Sequence, residues 1–150
     1  MALTIHAADE LRLAWGVPDV LSGGAVAVEG DRVTATGSLV GLQERFPGAR
    51  VRRWPGGVLG PGLVHEGALP AAPTPRERVH AVLTRGAVAV LAEFMDESGL
   101  RAAAERNGVA VLARSRPAVI VDGGRADLAV FADGACVATV CAGRLVHRRR

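Results

Sequence analysis

Twice in the second half of the chain nearly the same apolar phrase occurs, Ala87-Val-Ala-Val-Leu-Ala92 and Val109-Ala-Val-Leu-Ala113, with no polar residue on either side of a strand. A strand that is apolar on both faces must be covered on both, the condition of a parallel strand inside an α/β layer. Between the two copies Leu100, Ala103 and Ala104 fall at helical spacing and Asn107-Gly108 ends the run. The stretch therefore reads as a βαβ unit, right-handed by general rule. Just before it, Thr74-Pro75-Arg76-Glu77 supplies a cap residue, a proline at the first helical position and a glutamate three after the cap. That pattern opens a helix whose buried stripe is Val79, Val82 and Leu83 and which stops at Arg85-Gly86.

On either side the texture is different. Residues 25–29 and 32–36 alternate Val26, Val28, Val33 and Ala35 with small or polar partners around Gly30-Asp31, a hairpin with one buried face. Strands are expected at 3–7, at 11–15 and through Val51 and Trp54. Ser38 caps a short helix carrying Leu39, Leu42 and Phe46. Residues 54–64 hold so many glycines and prolines that they read as a turning, extended connector. After the βαβ unit, residues 118–122, 126–132, 136–141 and 144–147 read as strands joined by glycine turns. The Pro- and Ala-rich stretch 68–75 is a boundary signal.

Two of these stretches resemble a known family. Residues 24–37, Gly-Ala-Val-Ala-Val-Glu-Gly-Asp-Arg-Val-Thr-Ala-Thr-Gly, followed by Pro61-Gly-Leu-Val64, are similar to the hairpin and proline-glycine lead-in of the amidohydrolase superfamily, in its imidazolonepropionase-like form. Residues 123–131 and 137–146 are similar to that family's returning strands. The resemblance implies an α+β fold that is mostly β: a composite sandwich domain built from both chain ends, residues 1–64 plus 117–150, with a short inserted α-β-α-β segment at 65–116.

It also implies a metal site, which this sequence does not spell. The family follows its lead-in with a His-x-His pair, whereas here the stretch is His65-Glu66-Gly67-Ala68-Leu69, with Gly67 and Leu69 where the histidines stand. Neither side chain is a ligand, and a catalytic zinc generally needs about three protein ligands. A complete (βα)₈ barrel takes about 250 residues, far more than residues 74–113 supply. The expectation is fold without the usual chemistry, so no cofactor is expected. The alternative is a divalent metal such as zinc in a rebuilt site.

Candidates for that rebuilt site are His65, Glu66, Glu93 and Asp96, with His65 the one candidate metal ligand, because open α/β sheets place ligands at the C-terminal ends of their strands. Against this, Asp96 and Glu97 suit the start of a helix and Glu93 suits a solvated loop. A deep pocket lined by the four would favour a site, whereas filling by Leu69 and Phe94 would favour a binding role. His80 lies off its helix's apolar stripe and is expected to be exposed, and His6 and His147 carry no signal. Asp127 is expected to bond backbone amides at the start of a strand.

The remaining composition excludes more than it assigns. All 18 basic residues are arginine, and the net charge of +3 equals the terminal run Arg148, Arg149 and Arg150, which reads as a solvated tail on a nearly neutral body. With aromatics at 3% and no tyrosine, stacking on single strands is not expected, and neither is a nucleic-acid partner. No apolar run reaches the roughly eighteen residues of a membrane span, and the start lacks a secretory pattern, so no membrane partner and a cytoplasmic location are expected. Cys136 and Cys141, five apart in one strand, are expected on opposite faces and unpaired. No GxGxxG or P-loop pattern is present.

Two functions fit these observations. One is a binding or assembly module, often a symmetric homodimer, because a sheet deprived of its barrel leaves apolar surface to cover. The other is a diverged hydrolase acting on carbon-nitrogen bonds other than peptides, with His65 in its site. A small-molecule ligand is not identified by any motif.

Overall fold

A computed structural model describes residues 2–149 of the chain; Met1 and the last residue of the basic tail, Arg150, lie outside the described residues. The strands are β1 (Leu3–Leu11), β2 (Leu21–Ser22), β3 (Gly24–Glu29), β4 (Arg32–Ser38), β5 (Arg50–Pro61), β6 (Leu63–His65), β7 (Ala87–Leu91), β8 (Ala110–Leu112), β9 (Leu128–Ala132), β10 (Ala135–Cys141) and β11 (Arg144–Arg148). The helices are α1 (Leu39–Arg45), α2 (Pro75–Thr84) and α3 (Leu100–Arg106), with a single 3₁₀ turn at Ala92–Phe94. The fold is α+β and mostly β.

Strands from both halves of the chain share one eight-stranded sheet in the order β11-β10-β9-β5-β1-β3-β4, with β2 paired to β1. The hairpin of β3 and β4 forms as its alternation requires, with Glu29 opposite Arg32 across Gly30-Asp31. One face carries Ile5, Ala7, Ala25, Ala27 and Ala35 and is closed by Leu42 of α1, a helix capped by Ser38, whose Oγ accepts from the Gly41 amide. The other face gathers Val26 and Val28 of β3, Leu59 of β5, Leu128 and Val130 of β9 and Val140 of β10 into a second core. Strands far apart in the sheet order share this core, so the sheet curls over itself. At the seam the β10–β11 turn meets the β3–β4 turn: the Gly143 amide donates to Ala126, and the Ala126 amide donates to Asp31. Burying a leucine such as Leu59 or Leu128 in such a core contributes about 2 kcal/mol.

The glycine- and proline-rich stretch expected as a connector is instead the second half of β5, the strand joining the two halves of the sheet. It pairs in parallel with β1 and antiparallel with β9. Residues 55–57 form an irregularity between the pairs Ala8–Trp54 and Glu10–Val58 rather than a turn. Gly60 is there for close approach: a Cβ on it would sit 2.6 Å from Cε2 of Trp15, whose indole Nε1 donates to Pro61 at 2.7 Å. A glycine that lets another side chain lie on a strand looks the same in sequence as one that turns the chain. Two other expected strands also differ. Residues 11–15 and 118–122 are irregular beyond Leu11 and meet through an isolated bridge between Ala14 and Val119.

The second sheet is parallel, in the order β6-β7-β8. It contains two βαβ units, β6–α2–β7 and β7–α3–β8, where the repeated phrase alone pointed to the second. Thr74 caps α2 through its Oγ, which accepts from the Glu77 amide at 3.1 Å. Val79, Val82 and Leu83 of α2 and Leu100, Ala103 and Ala104 of α3 pack on Val88 and Val90. The two layers are joined where the Thr139 hydroxyl, fully buried in β10, donates to the Leu83 carbonyl at 2.7 Å.

Candidate functional site

The C-terminal ends of β6, β7 and β8 are the natural place for chemistry in a βα layer, and His65, Glu66, Glu93 and Asp96 all lie at that end. There the likeness to a site stops. His65 closes β6 and is half-buried, with Nε2 2.9 Å from the Ala68 carbonyl of its own loop. Glu66 is exposed and accepts from the Ser115 hydroxyl, just past β8. Glu93 and Asp96 are exposed. Among the described residues no group of three or more His, Cys, Asp or Glu side chains is placed to hold a metal ion. The four residues named as a rebuilt site are thus not gathered into one, because His65 and Glu66 are engaged within the loops and the other two face solvent.

The position that the resemblance sets against the second histidine is filled in another way. Leu69 is only 3% exposed and belongs to the core of α2, α3 and β7, with Phe94 packed beside it. Arg78, part-buried on α2, holds this arrangement. Its guanidinium donates to the carbonyls of Leu69 and Pro70 and pairs with Glu97, tying the loop after β6 to the loop after β7. The residues present do not fit a zinc of the family's kind. A cleft of about 340 Å³ does open against β6 and β7, but Val64, Val88, Ala89, Arg116 and Asp127 line it and none of the four candidates does. His80 is exposed.

Asp127 has the structural role expected of it. Its carboxylate accepts from the Ala142 amide at 2.9 Å and pairs with Arg125 at 2.9 Å, and Arg125 in turn donates to the Gly108 carbonyl at the end of α3. The pair fixes the β10–β11 turn, where Ala142 is held at φ 50°.

Cys136 and Cys141 depart from expectation. A bulge between Cys136 and Ala138 resets the alternation of β10 and brings both thiols to the face that meets the helices. Cys136 lies 3.4 Å from the Thr139 hydroxyl, and Cys141 belongs to the core with Val79 and Leu83. Both are free. Burial pushes the Cys136 thiol up and the Cys141 thiol up to about 11, so neither is a ready nucleophile.

The unsatisfied polar groups lie elsewhere, where the sequence raised no expectation. His6, in the middle of β1, is 3% exposed, and its Nδ1 has no partner; Trp54 of β5 is 9% exposed, and its Nε1 has none. Burial first, and the Arg52 guanidinium second, hold the His6 imidazole down at about 4. Arg148 is not simply part of a solvated tail. It ends β11 and places its guanidinium 5.4 Å from the centre of the Trp54 ring, over the same strand that carries Arg50 and Arg52. The signal available in the sequence was the two-residue spacing of Arg50 and Arg52, which puts them on one face of a strand.

A family model described as the imidazolonepropionase-like composite domain of bacteria matches residues 24–49, which span β3, β4 and α1. None of the curated proteins matches by sequence. Among solved structures, an adenosine deaminase from Xanthomonas campestris with bound zinc is similar at 20% identity and a TM-score of 0.57, over 73% of this chain and 33% of that one. Guanine deaminase from E. coli is similar at 14% identity and a TM-score of 0.55, over 74% of this chain and 35% of that one. Ochratoxinase from A. niger is similar at 17% identity and a TM-score of 0.52, over 74% and 31%. The chain therefore spans about a third of the length of the solved structures it matches. At these identities the likeness is one of fold, and it agrees with the hairpin match and with the strands returning from the C-terminal half. The chain thus shares its fold with part of each of these structures, its residues 24–49 are similar to the imidazolonepropionase-like composite domain, and its three-stranded βα layer carries Gly67 and Leu69 where the resemblance sets a His-x-His pair.

Proposed function

We propose that the chain works as a binding or assembly module that keeps the amidohydrolase composite fold without metal-dependent hydrolysis. The observation that carries this reading is Leu69: where the family has a metal ligand, this chain has a leucine built into the core and held by Arg78. Converting such a position back to a site means breaking a core, not filling a vacancy. The surface supports an assembly role. Leu13, Val17 and Val20 on the loop after β1 and Leu21 of β2, together with Val119 and Val121 on the segment bridged to that loop, are exposed. Apolar residues grouped in this way mark interaction surfaces in soluble chains, and a symmetric dimer is the commonest way to cover one. Sedimentation velocity at micromolar concentration tests this directly. A dimer that dissociates in Leu13→Asp supports the reading, and a monomer in the native protein overturns the dimer.

The second reading is a diverged hydrolase acting on carbon-nitrogen bonds other than peptides. Its support is the fold shared with two structures named as deaminases, one of them with bound zinc, and the placement of His65 at the end of β6. It requires that purified protein retain zinc in proportion to chain and lose it in His65→Ala. Metal content near zero in both proteins removes it.

A further inference from the structure

On β5, Arg50 and Arg52 lie opposite Thr4 and His6 of β1 and so share one face of the sheet. The curl of the sheet brings Arg148, at the end of β11, onto the same spot although two strands separate β11 from β5 in the sheet order. Together with Arg53 and Trp54 these side chains line a cleft of about 240 Å³. Among the described residues, ion pairs within 4.0 Å engage Arg32, Arg78 and Arg125, and no Asp or Glu approaches any of the four arginines here. Trp54 lines the cleft and has a buried indole N–H without an acceptor, and the buried, unpartnered His6 stands beside Arg52.

Like charges gather at a cost unless something of opposite sign is bound among them. Here that cost is visible in the Arg52 guanidinium, held below its usual range by burial and by the neighbouring charges of Arg50 and Arg148. Unmatched positive charge and guanidinium forks together specify an acceptor-rich anion. A carboxylate has two oxygens and one charge, too few for this many donors, whereas a phosphoryl group offers three oxygens and nearly two charges. The cleft does not suit a nucleic-acid strand. It has one aromatic ring, that ring already holds Arg148, and binding single strands relies on successive rings to stack the bases.

We propose that the cleft between β5 and the end of β11 is a binding site for a phosphoryl dianion, inorganic phosphate or the phosphate of a small phosphomonoester, gripped by Arg50, Arg52 and Arg148 with Trp54 as its floor. The site is separate from the ends of β6 to β8 and from the exposed apolar surface, so it stands or falls independently of the assembly reading.

The test is a titration of the native protein with inorganic phosphate at ionic strength held constant with sodium chloride, read by calorimetry and by tryptophan emission. Saturable heat is expected, with an emission change that disappears in Trp54→Phe. Arg52→Gln and Arg148→Gln should each weaken binding about tenfold, the typical effect of losing a charge-assisted fork. Arg52→Lys, which keeps the charge and loses the fork, should fall between, and Arg85→Gln, on the far layer, should bind as the native chain does. Arg148 is exposed at a strand end, so its variant reports on binding even where Arg52→Gln disturbs the strand. Two results would overturn the proposal: a response to phosphate no larger than to added chloride, or unchanged affinity in Arg148→Gln. Tighter binding of a single-stranded oligonucleotide than of phosphate would also overturn it.

Discussion

The large sheet and the parallel layer are made of the same Ala- and Val-rich strands, but they solve the problem of exposed backbone and apolar faces in opposite ways. The large sheet curls until two of its turns meet, and it fills both faces from within, one with the core around Leu59 and Leu128 and the other with α1. The parallel layer cannot curl shut with three strands, since closure of a βα barrel takes eight. It relies on α2 and α3 and on loops tied across its strand ends by Arg78 and by Glu66 with Ser115. At the ends of β6 to β8, His65, Glu66 and Arg78 are engaged within the loops while Glu93 and Asp96 face solvent. Its buried unsatisfied atoms among the described residues, His6 Nδ1 and Trp54 Nε1, belong to the closed sheet. The proposed anion site accordingly lies on the large sheet and not at the ends of β6 to β8.

The contrast breaks most severely at the seam that closes the sheet. Gly143 sits at φ 81°, and a Cβ there would overlap the Gly30 carbonyl oxygen and lie 2.9 Å from Cα of Asp31. Both contacts are backbone, so neither can rotate away. Gly143→Val should cost about 4 kcal/mol or more in urea unfolding, within the range reserved for strain that the structure cannot relieve. A loss below about 1 kcal/mol would mean that the seam is loose and the sheet effectively open.

His6 tests the closed sheet through acid. Its imidazole is neutral in the folded protein until about pH 4, whereas in the unfolded chain it takes up a proton near 6.5. The folded pKa is depressed, so this contribution is fully present above about pH 6.5 and is lost as pH falls towards 4. The whole window amounts to about 3 kcal/mol. The drop in unfolding free energy between pH 7 and pH 4 should therefore be smaller by about that amount in His6→Leu than in the native chain. Equal drops in the two proteins would show that His6 is reached by water.

Much of the closed sheet and all three helices are legible in the sequence because their signals are local. The β3–β4 hairpin is written in an alternation and a Gly-Asp turn, and α2 in the spacing of Thr74, Pro75 and Glu77. What the sequence hid is what depends on distant contact. The glycines of β5 serve Trp15 and a bulge, neither visible without the partner strand. The two cysteines share a face because one bulged residue in β10 shifts the count. The four candidates at the strand ends were placed at the correct end, but whether such side chains converge is decided by loops, and here Arg78 and Ser115 decide it. Arg148 meets Arg50 and Arg52 only through the curl of the sheet, so the pairing of Arg50 with Arg52 is legible in the spacing and the approach of Arg148 is not.

The bond between the two regions is the next measure. Asp127 holds the β10–β11 turn of the sheet, and through Arg125 it reaches Gly108 of the parallel layer. Asp127→Ala leaves the Ala142 amide without its acceptor and takes one partner from the half-buried Arg125 guanidinium, at about 2 kcal/mol. The expected sign of coupling is that amide hydrogens in α3 as well as in β10 exchange faster. Protection lost in β10 alone would confine Asp127 to the turn.

The smallest effect asks whether the two regions unfold together at all. Thr74→Ala removes the cap of α2 and should cost about 1 kcal/mol. α2 lies wholly in the parallel layer, but Thr139 of the large sheet donates to the carbonyl of Leu83 near its end, and Cys141 of β10 is part of the core that α2 builds. With those links intact, destabilising the helix destabilises the whole molecule, because the sheet cannot keep its inner contacts while α2 leaves. Urea unfolding of Thr74→Ala should accordingly show a single transition, with the same midpoint by tryptophan emission and by helical circular dichroism, both shifted by the same amount. Two midpoints, with only the helical signal moved, would divide the chain into a self-sufficient closed sheet and a dependent βα layer. The arginine cleft would then have to be retained by the sheet alone, since β5 and β11 both belong to it.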